Sequence, residues 1–264
     1  MRAVEGDHDA ARRALTPLFD ERKLIEVEHR RYDIRVGVRA AFFDVGDTLV
    51  EQWVPPEARV PLIEQHLSSA FGHRDWFRAL AETDLEQPDA VRQETNRWYE
   101  EWFAAQGIEC DIDVDRLRSA CAVPLDLVSS PVPGAAEAVR WCKRQGLRIV
   151  LVTNTLARGE TEVMRDWERA GLADAIDGVA TSHDVGWRKP HRAMFDRALE
   201  LAAVGPNEAF MVGDNPIADV SGAQALGIRA VLRRTEALPI PEDVHPDAVI
   251  DHLSELPAVV TPWL

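Results

Sequence analysis

Residues 41–50 read AFFDVGDTLV, and this stretch decides the fold. Its apolar first half is typical of a buried strand, and the strand signal stops at Asp44, which Gly46, Asp47 and Thr48 follow closely. An aspartate at the end of a strand is often only a turn residue or the N-cap of a helix. The meaning of Asp44 therefore depends on which residues end the other strands of the chain.

The second half of the chain alternates between strand-like and helix-like patterns. Apolar runs typical of strands are found at 36–43, 147–154, 177–182, 208–215 and 228–233, and a last one near 248. Between them, helices are predicted over 190–204, with Pro190 in the first turn, and over 218–227. This alternation predicts an α/β fold, a Rossmann-like doubly wound parallel sheet, in which ligands bind at the carboxyl ends of the strands.

Residues 53–129 differ from both flanks, because helical patterns separated by short breaks follow one another and no convincing strand is found. The pattern predicts an all-helical domain inserted into an α/β core that comprises residues 35–52 and 130–264. Residues 1–34 are rich in charge and have apolar residues at roughly helical spacing, which predicts a helical N-terminal extension. Nothing in that extension indicates a function.

Polar side chains follow several of the predicted strands at the point where each strand ends. They are Asp44, Thr153 with Asn154, and Asp214 with Asp219, while Lys189 lies in a loop before a helix. Because the carboxyl ends of parallel strands meet at one edge of a sheet, we expect these groups to converge. Together they suit phosphoryl transfer, in which a carboxylate attacks phosphorus, Mg²⁺ screens the charges and fixed donors hold the phosphoryl oxygens.

Four short motifs follow one another at these positions. They are FFDVGDTLV at 42–50, IVLVTN at 149–154, GWRKP at 186–190 and MVGDNPIAD at 211–219. In type and order they resemble the motifs of the haloacid dehalogenase superfamily, in the branch with a helical cap inserted after the first motif. The resemblance extends from about residue 38 to the C-terminus. It implies a Mg²⁺-dependent phosphatase of small phosphorylated metabolites that works through an aspartyl-phosphate intermediate.

The resemblance also implies a role for each polar residue at the predicted edge. Asp44 would be the nucleophile. The groups that would hold the phosphate are Thr153, Asn154 and Lys189. The ligands of the metal would be Asp44, Asp214, Asp219 and the backbone carbonyl of Gly46. Asp219 could instead orient Lys189 or a metal-bound water.

One position departs from the pattern of the family's phosphatases, which usually have a second Asp two residues after the nucleophile. This chain has Gly46 there and Asp47 one residue later. The replaced residue is the general acid, whose help is worth roughly 10²–10⁴-fold in rate. Three interpretations stay open. Asp47 acts as the acid because Gly46 permits unusual backbone angles, His66 or His73 of the insert supplies the proton, or the protein is a weak or specialised phosphatase.

Other reactions of the superfamily fit these residues less well. Dehalogenases also lack the second Asp, but they usually have a bulky aromatic residue where this chain has Gly46. Phosphonate hydrolases use a lysine of the cap, and residues 51–130 contain no lysine. Sugar-phosphate mutases need the acidic residue that Gly46 replaces. A haloacid dehalogenase and a catalytically weak binding or regulatory protein stay as the alternatives to a phosphatase.

The helical insert is rich in aromatic residues, which either form its own core or stack on an apolar part of a substrate. Trp53 is the best candidate for substrate contact, because it lies just past the first motif, where the chain leaves the core. Trp187, beside Lys189 in the third motif, is a second candidate for the entrance of the site.

The composition limits the partners of this chain of 264 residues. The formal net charge of −15 argues against a nucleic-acid partner, because an acidic surface repels phosphate backbones. No apolar run approaches the roughly 20 residues that a membrane-spanning helix needs, and the N-terminus has no apolar region typical of a signal peptide. The three cysteines have no metal-binding spacing. We therefore expect a cytoplasmic protein without a membrane partner, either a monomer or a homodimer.

Overall fold

Continuous apolar runs form the central sheet of the protein, as expected for parallel strands that are buried on both faces. The computed structural model describes residues 37–51, 53–83 and 92–264. The predicted extension over residues 1–34 lies outside the described residues.

The described residues form eight strands. They are β1 (Ala40–Phe43), β2 (Val50–Glu51), β3 (Ser130–Pro131), β4 (Arg148–Thr153), β5 (Gly178–Thr181), β6 (Ala209–Gly213), β7 (Arg229–Arg233) and β8 (Ala248–Ile250). Six of them form one parallel sheet in the order β5-β4-β1-β6-β7-β8, and β2 pairs antiparallel with β3. The predicted α/β sheet is confirmed, although its first strand begins at Ala40 rather than at residue 36.

Ten α-helices accompany these strands in the described part of the chain. They are α1 (Pro56–Phe71), α2 (Phe77–Glu82), α3 (Thr95–Gln106), α4 (Val114–Cys121), α5 (Ala135–Arg144), α6 (Glu160–Arg169), α7 (Ser182–Val185), α8 (Arg192–Ala202), α9 (Gly222–Gln224) and α10 (Leu256–Val260). Among the described helices, none combines the length and the apolar character that crossing a bilayer requires.

Successive side chains of each central strand enter different hydrophobic clusters, because they point to opposite faces of the sheet. Phe43 of β1 and Leu151 of β4 are fully buried in a cluster that includes residues of α5, α6 and α10. Phe42 and Val150, one position earlier in each strand, are fully buried in a second cluster with residues of α8 and α9. Helices therefore cover both faces, which makes the sheet doubly wound.

The register of β1 with its two neighbours brings three strand ends to one level. Phe43 pairs with Leu151 of β4 and with Val212 of β6, and the N–H of Asp44 continues the ladder to the carbonyl of Val212 at 2.9 Å. The residues that end β1, β4 and β6 therefore lie within one or two steps of each other along the strands. The expected convergence at the carboxyl edge follows directly from this register.

The segment between β2 and β3, which we call the helical insert, contains α1 to α4 in its described residues 53–83 and 92–129. Its aromatic residues pack largely on each other. The ring of Trp76 lies edge-on to Phe77 at 4.7 Å and to Phe103 at 5.1 Å between centroids, and Tyr99 is fully buried. These rings form the interior of the helical insert.

Two predicted helices differ from the structure. The helix predicted over 190–204 begins at Arg192, because His191 is its N-cap and accepts the N–H of Ala193 through Nδ1 at 3.3 Å. Pro190 therefore precedes the helix and does not occupy its first turn. The helix predicted over 218–227 is a π-helical segment, Pro216–Ser221, followed by the single turn of α9.

Candidate active site

Lys189 is the centre of a buried charge cluster at the carboxyl edge of the sheet. Its Nζ atom lies 2.6 Å from Oδ1 of Asp44 and 2.6 Å from Oδ1 of Asp219. Only 2% of the Lys189 side chain is exposed. Burial opposes the charged form of Lys189, but the two carboxylates outweigh that effect and raise its pKa. The lysine is therefore a fixed cation between two strand ends.

Three carboxylates surround this single lysine. Asp44, Asp214 and Asp219 each offer a carboxylate oxygen, and these oxygens lie within 4.8 Å of one another. Burial, followed by the charges of Asp44 and Asp219, raises the pKa of Asp214 to about 8. Buried carboxylates in excess of their cations are unfavourable unless another cation joins them. Oxygen donors at this spacing fit Mg²⁺, which prefers carboxylate oxygens.

Asp219 lies very close to the backbone of β6. Its side chain is only 1% exposed, and its Oδ2 accepts the N–H of Asn215 at 3.0 Å. A Cβ atom added to Gly213 would lie 2.2 Å from this Oδ2, so only glycine permits the approach. Both oxygens of Asp219 are thus bonded within the chain, which supports its predicted alternative role of orienting Lys189.

Asn154 fastens the loop that carries Lys189. Its Oδ1 accepts the backbone N–H of Lys189 at 2.8 Å, and its Nδ2 donates to the carbonyl of Lys189 at 3.2 Å. Both polar atoms of the Asn154 side chain thus bond the backbone of Lys189, and its contact with phosphate stays a prediction. Thr153, which ends β4, is 8% exposed at the same edge.

The displaced aspartate adopts an unusual backbone conformation. Asp47 is exposed and has a φ of 50°, in the left-handed region that non-glycine residues rarely adopt. Its Oδ1 accepts the indole N–H of Trp53 at 3.1 Å. Cζ2 of the same indole lies 3.7 Å from the point where a Cβ of Gly46 would be. Trp53 therefore lies beside Gly46 with its polar contact to Asp47, and its predicted contact with substrate stays a prediction.

Arg233 is a residue of this edge that the sequence analysis did not identify. It ends β7, donates one N–H to the backbone carbonyl of Asp47, and forms an ion pair with Glu51 at 2.8 Å. Its side chain is 13% exposed. Asp44 and Asp214 were selected as polar residues at the ends of apolar runs. Arg233 ends the apolar run 228–233, so the same criterion could have found it.

The helical insert touches the Lys189 loop near the third motif. The N–H of Gln93 bonds the carbonyl of Gly186 at 3.0 Å, and Arg92 forms a single β-bridge with Trp187. The ring of Trp187 stacks on His191 at 3.9 Å. Trp187 therefore lies where the insert meets the loop.

The two histidines proposed as proton donors have other surroundings. His66 lines a groove of about 650 Å³ together with Arg165 and Glu168 of α6, and its Nδ1 lies 3.1 Å from the carbonyl of Leu62. His73 is largely exposed, and its Nε2 lies 3.2 Å from Oδ1 of Asp75. These contacts give no support to a role for either histidine at the sheet edge.

Comparison with known proteins identifies the family. A model of haloacid dehalogenase-like hydrolases matches residues 38–227. The haloacid dehalogenase-like hydrolase domain-containing protein 3 of Xenopus laevis is 36% identical over 79% of this chain and 91% of its own length. A ribulose-1,5-bisphosphate 5-phosphatase of Halopiger xanaduensis is 39% identical over 39% of this chain and 42% of its own length. A phosphoserine phosphatase of Thermus thermophilus is 36% identical over 47% of this chain and 49% of its own length. The chain thus spans about half the length of these two phosphatases, or less.

Solved structures share the fold. A 2-haloacid dehalogenase of Pseudomonas syringae pv. Tomato superposes with a TM-score of 0.57 and 24% identity, over 86% of this chain and 100% of that chain. A HAD-hydrolase of Bacillus subtilis, bound to magnesium, superposes with a TM-score of 0.54 and 19% identity, over 85% of this chain and 99% of that chain. The family model, the Xenopus relative and the sheet topology agree, and the chain therefore belongs to the haloacid dehalogenase-like hydrolase family.

Proposed function

We propose that this hydrolase is a phosphatase that transfers the phosphoryl group of a small phosphorylated metabolite to Asp44 and then to water. The observation that carries the proposal is the position of Asp44, a strand-end carboxylate bonded to buried Lys189 beside two further carboxylates. Relatives named as phosphatases of ribulose bisphosphate and of phosphoserine support the reaction class. Because their named substrates differ, they do not define the substrate of this chain.

We assign the metal site to Asp44, Asp214 and the carbonyl of Gly46. Asp219 would not bind the metal directly but would orient Lys189 or a metal-bound water. The excess of buried carboxylates over cations supports this assignment. When bound, Mg²⁺ would supply a positive charge that lets an anionic nucleophile approach an anionic phosphate. Displacement of a halide from carbon involves no phosphate charge, so the excess of carboxylates favours the phosphatase over the dehalogenase.

Each residue of the proposed site has its own role in the reaction. A carboxylate oxygen of Asp44 forms the new bond to phosphorus while the bond from phosphorus to the leaving oxygen breaks. Thr153 and the Lys189 ammonium stabilise the charge that develops on the phosphoryl oxygens. A water then attacks the aspartyl phosphate, which releases inorganic phosphate and regenerates the carboxylate. The helical insert would act as a cap that excludes bulk water during these steps.

Asp47 is the best candidate for the acid that protonates the leaving oxygen, since Gly46 has no side chain. An alkyl phosphate has a poor leaving group and depends strongly on such an acid, by roughly 10²–10⁴-fold in rate. An aryl phosphate has a better leaving group and depends on the acid less. A comparison of alkyl with aryl phosphates therefore shows whether a general acid takes part in the reaction.

The test is Mg²⁺-dependent phosphate release from matched alkyl, acyl and aryl phosphates. Asp44→Asn is expected to lose release from all three by at least about a thousandfold, because the nucleophile is gone. Asp196→Asn, on the exposed face of α8 in an ion pair with Arg192, is the matched control and is expected to behave as wild type. Wild-type release no greater than that of Asp44→Asn from every substrate would refute the proposal, and halide release from 2-haloacids would then point to the dehalogenase.

A further inference from the structure

Asp47 is exposed, yet both its backbone and its carboxylate are fixed by neighbours. Its backbone has a φ of 50°, a left-handed conformation that is uncommon for non-glycine residues, although aspartate tolerates it better than most. Arg233 bonds the carbonyl of Asp47 in this conformation, and the ion pair with Glu51 at 2.8 Å holds the guanidinium in place. The indole N–H of Trp53 bonds Oδ1 of the Asp47 side chain at 3.1 Å. A merely solvated surface aspartate would need none of these contacts.

The indole also determines which carboxyl oxygen is available for chemistry. An indole N–H can only donate, and here it donates to Oδ1 of Asp47. Oδ2 is therefore the carboxyl oxygen that the indole leaves unbonded. The ring lies 3.7 Å from the Cβ position of residue 46 and so borders the space that a side chain there would enter. One tryptophan thus both lies over Gly46 and orients the neighbouring carboxyl group.

We propose that Trp53 and Arg233 are positioning residues that hold Asp47 as the general acid in place of the residue missing at Gly46. This inference rests on the phosphatase function proposed above. As the bond from phosphorus to the leaving oxygen breaks, Oδ2 of Asp47 gives its proton to that oxygen. In the second step, the Asp47 carboxylate takes a proton from the water that attacks the aspartyl phosphate. The indole hydrogen bond fits both states, so the ring keeps its place throughout.

A double-mutant cycle with Trp53→Phe and Asp47→Asn tests whether Trp53 acts through Asp47. Trp53→Phe keeps an aromatic ring, although a smaller one, and removes the indole N–H donor. It is expected to lower kcat for alkyl phosphates about tenfold and kcat for aryl phosphates at most about threefold, with KM nearly unchanged. In an Asp47→Asn background, the same change is expected to lower kcat for alkyl phosphates less than twofold further.

Other outcomes of the cycle would overturn the inference. A rise in KM with unchanged kcat would show that Trp53 binds the substrate by stacking. Equal losses on alkyl and aryl phosphates, or fully additive losses in the double variant, would show that Trp53 does not act through Asp47. Trp141→Phe, on α5 and packed against the cluster that contains Phe43 and Leu151, is the matched control and is expected to leave both rates unchanged.

Arg233 is tested by two substitutions of graded severity. Arg233→Lys keeps a positive charge beside Glu51, whereas Arg233→Gln removes it. We expect the ratio of alkyl to aryl turnover to fall about tenfold in Arg233→Gln and to recover in part in Arg233→Lys. Thermal unfolding of both variants shows whether they fold. An unchanged ratio in folded Arg233→Gln would exclude Arg233 as a positioning residue.

An NMR measurement separates failure of this inference from failure of the proposed function. The chain has 8 tryptophans, and the indole N–H signal of Trp53 is identified by its loss in Trp53→Phe. We expect that signal to move upfield in Asp47→Ala and in Arg233→Gln, while the Trp141 signal stays in place. An unmoved Trp53 signal in an active phosphatase would overturn the positioning role. A moved signal in a protein that releases no phosphate would instead refute the phosphatase function and, with it, the catalytic role of the contact.

Discussion

Two of the buried groups of charges in the described part of the chain are balanced differently. Where α4 of the helical insert meets α6 of the core, Arg118 bonds Glu162 at 3.0 Å, with 9% and 5% of their side chains exposed. At the sheet edge, Lys189 is shared by Asp44 and Asp219, and Asp214 adds a third carboxylate. The first group is neutral by itself, whereas the second has more negative than positive charge.

The difference shows in the titration of the carboxyl groups. Burial opposes the ionisation of Glu162, but hydrogen bonds from its neighbours, Arg118 and the N–H of Gly159 among them, outweigh it and lower its pKa to about 2. Burial of Asp214 acts in the same direction as the charges of Asp44 and Asp219, and its pKa rises to about 8. Burial of a carboxylate is thus compatible with stability where a cation is paired with it. At the sheet edge the carboxylates outnumber the cations, which is expected for a site that binds a further cation.

The largest effect is expected from breaking the balanced pair. Glu162→Gln leaves the Arg118 guanidinium buried without its counter-charge, which should destabilise the protein by about 3–5 kcal/mol. Urea unfolding measures the change, and Glu160→Gln, an exposed position of the same helix, is the matched control. A loss below about 1 kcal/mol would mean that water or another acid compensates Arg118, and the contrast between the two groups would weaken.

The next effect is expected from adding a cation to the unbalanced group. Mg²⁺ at 100 times its dissociation constant should stabilise the folded protein by about 2.7 kcal/mol. Asp214→Asn should lose most of this response, and its metal-free form should be more stable than the metal-free wild type, because folding of the wild type buries a carboxyl group that is ionised in the unfolded chain. Thermal unfolding with Mg²⁺ or with EDTA measures both quantities. An equal Mg²⁺ response in wild type and Asp214→Asn would contradict the assigned site.

The smallest effect is expected on acidification. Because the pKa of Glu162 is lower in the folded state than its ordinary value of 4.5, its contribution is complete above pH 4.5 and declines as the pH falls toward about 2. Between pH 4.5 and pH 3 the loss should be about 2 kcal/mol. The wild type should therefore approach Glu162→Gln in stability over this interval. Parallel stability curves of the two proteins would show that Glu162 does not titrate there.

The sheet and most of the site residues could be predicted because their signals are local. A buried strand is a continuous apolar run, and the parallel topology then brings the strand ends to one edge whatever lies between them. Asp44 and Asp214 are predicted in this way, whereas Lys189 and Asp219 are predicted from their places in the third and fourth motifs. The start of α8 was mispredicted because the side chain of His191 caps the helix after Pro190, and sequence spacing does not show which residue caps.

The contacts that the sequence did not reveal join distant parts of the chain. Arg233 and Asp47 are 186 residues apart, and Arg118 and Glu162 are 44 apart. An arginine on a helix usually faces water, and the residues around Arg118 in the sequence do not show that it is buried against another helix. The bond from Trp53 to Asp47 spans only six residues, but it forms at a left-handed Asp47 whose carbonyl contacts the distant Arg233.

The pairing of β2 with β3 has an evolutionary consequence. Val50 lies opposite Pro131 and Glu51 opposite Ser130, so the chain leaves the core and returns to it at adjacent points. The N–H of Val54 also bonds the carbonyl of Val128 at 2.8 Å, which continues the pairing into the helical insert. Segments whose ends lie side by side can be exchanged without disturbing the host. A lineage could therefore replace the segment between Val54 and Val128 with another module and acquire a new substrate, while the sheet, its carboxyl edge and Trp53 are inherited.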